Sequence, residues 1–461
     1  MYTYSIISAV YNVEPYLQDF FKSIVKQTLD FKTSIQIILI DDGSTDNSAQ
    51  IIQEWQQKYP NNIIYIYQEN KGQASARNLG LQYVQSGWVT FIDPDDFVNK
   101  NYFKIVDNFQ KKHINDDIVM LSCNLIHYFE KFKLYINNHP LKYKFQQKNY
   151  LCPIKTLHKN IQLSASSTFF KTDIIRQNKI VFDIKIRPTF EDGHFINLYL
   201  LHTRDSSVAF LKNAKYFYRK RKSMNSSIDN SWKDHRRYDN MLRYGYLDLL
   251  EKYNQKVGKI PFFIQRTVLY DLLWYYRNLM ETPILQQILT VEDKKNFMIL
   301  TKKIFNLIEI ETILDFELAG IKFYHKVALL AWYKHTSPPY QILFLEKKNN
   351  TSYTFCYYAY EESSCIIKTD HTPHTIYPSY ITKTIYFLNK KFIIEHKFTI
   401  DLPSNAKTLK VWIDDIPAYF ENSNKNTTVI LVKNLRIQKR KQIFKLIKKT
   451  ARNIILGKNK Q

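Results

Sequence analysis

Three short apolar runs near the start of the chain each stop at a cluster of polar side chains. This repetition limits the fold more than any other feature of the sequence. Residues 2–10 stop at Tyr11-Asn12, residues 35–40 at Asp41-Asp42-Gly43-Ser44-Thr45-Asp46, and residues 88–92 at Asp93-Pro94-Asp95-Asp96. Runs of this length, rich in β-branched and aromatic residues, read as buried strands. A fourth strand is expected at 63–67, and helical apolar spacing at 16–29, 47–59 and 72–84. Strands alternating with helices predict a parallel sheet covered on both faces, with ligands at the carboxyl ends of its strands. The three polar clusters should therefore meet on one edge.

The last cluster has its own chemistry. Pro94 fixes φ and cannot donate to a sheet ladder, so the strand should end there. Asp93, Asp95 and Asp96 are then held close on a stiff turn. Clustered carboxylates repel, and a hard divalent cation between them, Mg²⁺ or Mn²⁺, relieves the repulsion and keeps positions open for phosphate oxygens. Alone, an Asp-x-Asp turn is common and mostly a solvated acidic turn. The clusters upstream tip the reading toward a metal site.

Beyond residue 97 the pattern loosens. Helices are expected at 101–109 and 173–177, strands at 118–123, 164–170 and 215–218, and a surface hairpin or loop at 131–148. Phe190-Glu191-Asp192-Gly193 opens a helix through Leu201, and a basic turn follows Tyr218. An aromatic-rich helical stretch leads to Ser337-Pro338-Pro339, a boundary signal. After it, short alternating runs at 342–345, 353–360, 385–388, 392–399, 409–413 and 427–435 suggest a small antiparallel sandwich. The chain closes on a basic amphipathic helix, 439–460. The predicted architecture is α/β: a Rossmann-like nucleotide-binding domain (1–230), a helical region (231–340), a β-rich accessory domain (341–437) and the terminal helix (438–461).

The net charge of +24 favours polyanionic partners such as phosphorylated polymers or an anionic membrane face. No nucleic-acid motif accompanies it, so nucleic acid is not expected as a partner. Four cysteines, Cys123, Cys152, Cys356 and Cys365, show neither zinc spacing nor disulfide density. Neither a leader peptide nor an apolar run long enough for a bilayer is apparent. A cytoplasmic protein is expected, touching the inner membrane face through its terminal helix. Homo-oligomer formation is the plainer use of that helix.

The motifs Ala9-Val10-Tyr11-Asn12, Asp41-Asp42-Gly43-Ser44-Thr45-Asp46, residues 70–78 (NKGQASARN), Asp93-Pro94-Asp95-Asp96 and Glu191-Asp192 come in an order that resembles the inverting family 2 glycosyltransferases of the GT-A fold. The layout with helices and β-rich modules behind the first domain is similar to bacterial wall teichoic acid and capsule glycosyltransferases. The resemblance implies a nucleotide-sugar donor, favouring UDP, and a polysaccharide or phosphorylated-polymer acceptor. It implies that Ala9 and Tyr11 hold the nucleobase, that Asp42 accepts from it beside Asp41, and that Gly72 lets the backbone turn. Arg77 would serve base or diphosphate. Asp95 would ligate the metal, with Asp93 and Asp96 binding ribose or completing its shell. Asp192 would be the general base and Glu191 its support. Arg219, Arg221 and Ser226 would contact the diphosphate. A non-catalytic carbohydrate- or polyanion-binding protein on the same scaffold is the rival reading. It has no need of Asp93, Asp95 and Asp192 together.

Overall fold

The computed structural model describes residues 2–203, 205–221, 231–349, 352–369, 376–402, 406–420 and 429–431. They fall into two compact units. One runs to Thr312 and includes Phe316–Ala319; the other comprises Ile313–Asp315 and the chain from Gly320.

The first unit is built on a ten-stranded sheet: β1 (Tyr4–Val10), β2 (Ile35–Asp42), β3 (Ile63–Gln68), β4 (Trp88–Phe91), β5 (Phe97–Val98), β6 (Ile118–Phe129), β7 (Leu134–Ile136), β8 (Tyr150–Pro153), β9 (Thr168–Lys171) and β10 (Ser207–Lys220). Its order is β3-β2-β1-β4-β9-β6-β10-β5, with β7 on β6 and β8 on β10. The first four strands are parallel, and their register sets the polar clusters side by side. Val10 lies opposite Asp41, Asp42 opposite Gln68, and Ile7 opposite Phe91. Alternation along the strands sorts the faces. Ile6 and Val10 join Ile35, Ile37 and Leu39 in one core with Leu17, Phe20 and Phe103 of the helices Glu14–Val25 and Tyr102–Lys112. Ile7 and Ile40 have the opposite parity and meet the helix Gln73–Leu81. That helix sits so close that a Cβ on Gly80 would lie 2.5 Å from Ile7 Cγ2.

The sheet is parallel over β1–β4, as the alternation predicts, and mixed beyond them. β9 runs antiparallel between β4 and β6, and β5 runs antiparallel to β10. Parallel pairing needs a long crossover, normally a helix. The chain entering β9 supplies only a 3-10 turn, Ile154–Lys159, and loop. The surface-loop expectation for 131–148 needs correction. β7 does form a hairpin with β6, but Leu141, Lys144 and Phe145 are buried. The turn Lys142–Phe145 brings Phe145 onto Phe210 of β10, ring centroids 6.0 Å apart.

The first unit continues past residue 230. It takes in the π-helical segment Met241–Leu247 and the helices Asp248–Val257, Phe262–Glu281 and Val291–Asn306. In the second unit, a helix, Phe323–Lys334, precedes an eight-stranded sheet whose core includes Leu343, Phe355, Phe398 and Val411. Two of its strands, Cys365–Thr369 and Ile416–Phe420, escaped the pattern reading. The second contains Pro417 and is joined to Thr408–Ile413 by only Asp414-Asp415, both at positive φ, so no loop signal separates the two strands. All four cysteines are buried and unpaired. Among the described residues no helix is long and apolar enough to cross a membrane. Ser226 and the basic terminal stretch lie outside the described residues.

Candidate active site

The acidic turn is stitched to β10. The Asp96 N–H donates to the Asp93 carbonyl at 3.0 Å, closing the turn. The Asp96 carboxylate, 1% exposed, accepts from the Tyr216 hydroxyl and the Arg219 N–H, both at 2.7 Å. Burial, then repulsion from Asp95 and Asp93, pushes its carboxyl well above the ordinary range. Asp95 accepts a forked pair from Arg221, at 2.9 Å from Nε and 2.6 Å from Nη2. Arg219 donates through Nε to the Asp95 carbonyl at 2.7 Å and through its terminal nitrogens to Glu130 at 3.1 Å and Asp19 at 2.9 Å. Asp96 is therefore turned inward. Asp93 and Asp95 face a cavity of about 1110 Å³ and are the oxygen donors left for a divalent cation. Their mutual repulsion suits such an ion.

At the end of β2 the two aspartates divide their work. Asp41 is buried and accepts from the Ser44 N–H at 2.8 Å and the Tyr65 hydroxyl at 2.9 Å. Asp42 lines the cavity and accepts from the N–H groups of Lys71 and Gly72, each at 2.8 Å. Gly72 has φ +90°, and a Cβ there would run into the Arg187 guanidinium. No side chain other than glycine's suits that position. At the end of β1, Asn12 Oδ1 accepts from the Thr45 N–H at 2.8 Å, tying two of the polar clusters together. Beside it Tyr11 is 51% exposed at the cavity rim, with Ala9 behind.

Across the cavity Arg77 joins the two halves. It is 2% exposed, and its Nη2 donates to Asp93 at 2.8 Å while its Nη1 donates to Asp192 at 2.5 Å, with Glu191 at 3.8 Å. Its guanidinium carbon lies 5.2 Å from the Phe182 ring centroid. Burial alone would weaken its hold on the proton; Asp192, Asp93 and Glu191 outweigh that and raise its pKa. The carboxyls show the reverse balance. Burial first, with neighbouring carboxylates adding, pushes Asp93 up to about 6 and Glu191 up to about 7 against the pull of Arg77. Arg77 is thus committed to carboxylates on both sides. The other oxygen of Asp192 accepts from the Ala165 N–H at 2.9 Å.

The residue just before this pair is strained. Phe190 has φ 81°, ψ −1°, a left-handed conformation costing about 1–3 kcal/mol in a non-glycine residue. Its ring is held 4.6 Å from Tyr246 of the π-helical segment and fits only because residues 193 and 245 are glycines. A Cβ on Gly193 or Gly245 would come within 2.8 or 3.1 Å of that ring. A π-helical turn beside such a residue is a recurrent mark of functional sites.

Ala9, Tyr11, Asp42, Gly72, Arg77, Asp93, Asp95, Glu191, Asp192, Arg219 and Arg221 all line the one cavity; Asp41 and Asp96 support its wall. Sequence reasoning passed over Lys144, Trp232, Arg237, Tyr270, Asp271 and Trp274, which line it too. Only the unusual density of aromatics in the helical stretch hinted at the last five of them.

A sequence model for glycosyl transferase family 2 matches residues 5–168, the strands and turns that carry three of the clusters. The domain belongs to glycosyl transferase family 2. The minor teichoic acid biosynthesis protein GgaB of Bacillus subtilis (strain 168) is 32% identical to the chain over 317 residues, 68% of this chain and 33% of GgaB. GgaA of the same organism is 32% identical over 280 residues, 60% of each. The chain thus spans less than two thirds of either relative. Among solved structures, residues 1–349 of S. aureus TarS in complex with UDP-GlcNAc superimpose with a TM-score of 0.55 at 17% identity, covering 72% of this chain and 87% of that one. The family 2 domain here has the GT-A fold anticipated from its motifs.

Proposed function

We propose that the chain is an inverting, metal-dependent glycosyltransferase that moves a sugar from a nucleotide sugar, with UDP as its carrier, to a hydroxyl of a cell-envelope polymer. The observation that supports this most is Arg77, which ties the Asp93 edge of the donor side to Asp192 within one cavity. In this reading Ala9, Tyr11 and Asp42 hold the nucleobase. Arg221 and Arg219 flank the diphosphate position, where Arg221 would exchange part of its pairing with Asp95 for phosphate oxygens. Bound Mn²⁺ or Mg²⁺, held by Asp95 and Asp93, would offset the diphosphate charge so that no acid need protonate the leaving group.

Asp192 then takes the proton from the acceptor hydroxyl. The acceptor oxygen bonds to the anomeric carbon on the face opposite the diphosphate, the carbon–oxygen bond to phosphate breaks, and the nucleotide leaves with that electron pair. Arg77 and the Ala165 N–H orient the Asp192 carboxylate for this transfer. Glu191 adds a second carboxyl beside it. GgaA and GgaB are named for teichoic acid biosynthesis, and TarS has been solved with UDP-GlcNAc; both support the donor and acceptor classes proposed. A cytoplasmic location at the inner membrane face, through the basic terminal stretch, fits the same reading.

The test is a donor panel of UDP-, GDP-, CDP- and dTDP-sugars with Mn²⁺ and with chelator, following nucleotide release and product configuration. Metal-dependent release from one donor, inverted product, and loss of both in Asp95→Ala and Asp192→Asn are expected. Inactivity across the whole panel would overturn the reading in favour of a binding protein.

A further inference from the structure

The segment between the 3-10 turn Ile154–Lys159 and β9 holds one oxygen of Asp192 through the Ala165 N–H. Its backbone is tied by the Thr168 N–H, which donates to the Ala165 carbonyl at 3.1 Å, and by the Cys123 N–H, which donates to the Ser167 carbonyl at 2.8 Å. The other ties meet at one side-chain amide. Gln162 is 4% exposed, and all four of its hydrogen-bonding positions are used. Its Nε2 donates to the Ser164 carbonyl and to the Thr168 hydroxyl, both at 3.0 Å. Its Oε1 accepts from the Ser122 hydroxyl of β6 at 2.9 Å and from Lys144 Nζ. The Thr168 hydroxyl donates in turn to the Ser164 carbonyl at 2.8 Å, which closes a ring around the turn.

Lys144 is the outer anchor of this network. It is buried and donates to the Ile161 carbonyl at 2.7 Å as well as to Gln162. Burial pulls its pKa down to about 7. A neutral amine keeps the two N–H groups that these bonds use, so the anchor holds in either protonation state. The Ser164 carbonyl can only accept, and it therefore fixes which end of the amide faces the turn. No other side chain of this length offers two acceptor positions and two donors: glutamate lacks the donors, and methionine lacks both sets. Leu163, next along, packs against the helix that carries Asp192, where a Cβ on Gly193 would lie 3.0 Å from its Cδ2. One hydrogen bond then separates the turn from the Asp192 carboxylate, whose other oxygen is held by Arg77.

We propose that Gln162, anchored by Lys144, is a positioning residue: it sets the turn 164–168 so that the Ala165 N–H fixes the Asp192 carboxylate in the orientation that takes the acceptor's proton. This rests on the reading of Asp192 as the general base. It assigns the aiming of that base to an amide that acts on it only through the turn.

The experiment is a double-mutant cycle in the full chain, reading nucleotide release from the donor that the wild type turns over, donor KM and urea unfolding. Gln162→Met should lower kcat by about tenfold to a hundredfold with donor KM nearly unchanged, since a 1 Å misplacement costs ~10²-fold. Gln162→Glu keeps the contact with Lys144 but loses both donors. It should lose kcat to a similar extent while unfolding at nearly the wild-type urea concentration. Thr168→Val removes one acceptor of the amide and suits a strand; it should lower kcat severalfold and serves if Gln162→Met unfolds. In an Asp192→Asn background, assayed at high enzyme concentration, Gln162→Met should change kcat by less than about twofold, because its effect passes through the carboxylate already removed. Wild-type kcat in the Gln162 variants beside a crippled Asp192→Asn, or an equal further loss in the Asp192→Asn background, overturns the proposal alone. Wild-type kcat in Asp192→Asn itself would sink the assignment of the base, and the role of Gln162 with it.

Discussion

The two sides of the cavity are made differently. The side proposed to hold the nucleobase is assembled from turns that follow parallel strands, and its hydrogen-bond partners lie within 30 residues. Asp41 holds Ser44, and Asp42 holds Lys71 and Gly72 about one strand-helix unit away. The base side depends on distant chain. Asp192 is held by Arg77, 115 residues earlier, and by Ala165, and the strained Phe190 before it is wedged by Gly245 and Tyr246. The proposed nucleobase side follows from strand register, whereas the proposed base side exists only when three remote segments have packed. Specificity for the acceptor should therefore be easier to alter by substitution than specificity for the nucleotide.

The largest expected effect breaks the base side alone. Asp192→Asn should lower kcat by about 10²–10⁴-fold, the usual contribution of a general base, while UDP affinity in the presence of Mn²⁺ stays within a few-fold of wild type. A comparable loss of UDP affinity would show that the two sides are not separable.

Arg77→Met attacks the link between them. It leaves Asp93, Glu191 and Asp192 buried without their cation, so urea unfolding should show a loss of about 3–5 kcal/mol. A loss under about 1 kcal/mol would mean that the carboxyls simply take up protons, and the bridge would then be an ornament of the fold rather than its tie.

A smaller effect sharpens the claim about strain. Gly245→Ala would push on the Phe190 ring from 3.1 Å. kcat should fall about tenfold, short of the ~10²-fold that a 1 Å misplacement costs, with donor KM unchanged. Pairing it with Phe190→Leu, which frees the space, should recover part of the rate. A change confined to KM would remove Phe190 from the positioning of the base.

The smallest effect is in pH. Asp93 and Glu191 have folded pKa values raised to about 6 and about 7, burial being the main cause. Between the ordinary carboxylate range and those values the folded state binds more protons than the unfolded one. Their ionisation therefore costs stability as pH rises through 6–7. Mn²⁺ on the donor side should recover that cost, so the rise in Tm on adding Mn²⁺ should grow from pH 5 to pH 7.5. Asp93→Asn should flatten this growth. A Mn²⁺ effect independent of pH in the wild type would remove Asp93 from the metal's surroundings.

Much of the proposed donor side was legible because its motifs are local, although the ties of Asp95 and Asp96 to β10 are not. A strand, a proline, a glycine at positive φ and a cluster of carboxylates carry their meaning within a few residues. The antiparallel entry of β9 was not legible, since nothing in residues 168–171 marks the direction in which a strand will be used. The burial of Lys144 was hidden for a similar reason. Its neighbours in sequence are polar and aromatic, and only the docking of Phe145 on Phe210 takes it inside. Arg77 was visible as a cation on the right helix, but its commitment to Asp93 and Asp192 needed a tertiary contact across the sheet edge.

By itself, then, the amino-acid order determined the alternation of strand and helix, the parallel core of β1–β4 and the gathering of polar residues at its carboxyl edge, because backbone periodicity and turn chemistry act over short distances. Tertiary structure alone decided which charges pair, that Lys144 and Arg237 are buried, and that residues 231–312 complete the cavity. Those outcomes depend on desolvation and on Coulomb interactions between groups that no short-range pattern brings together.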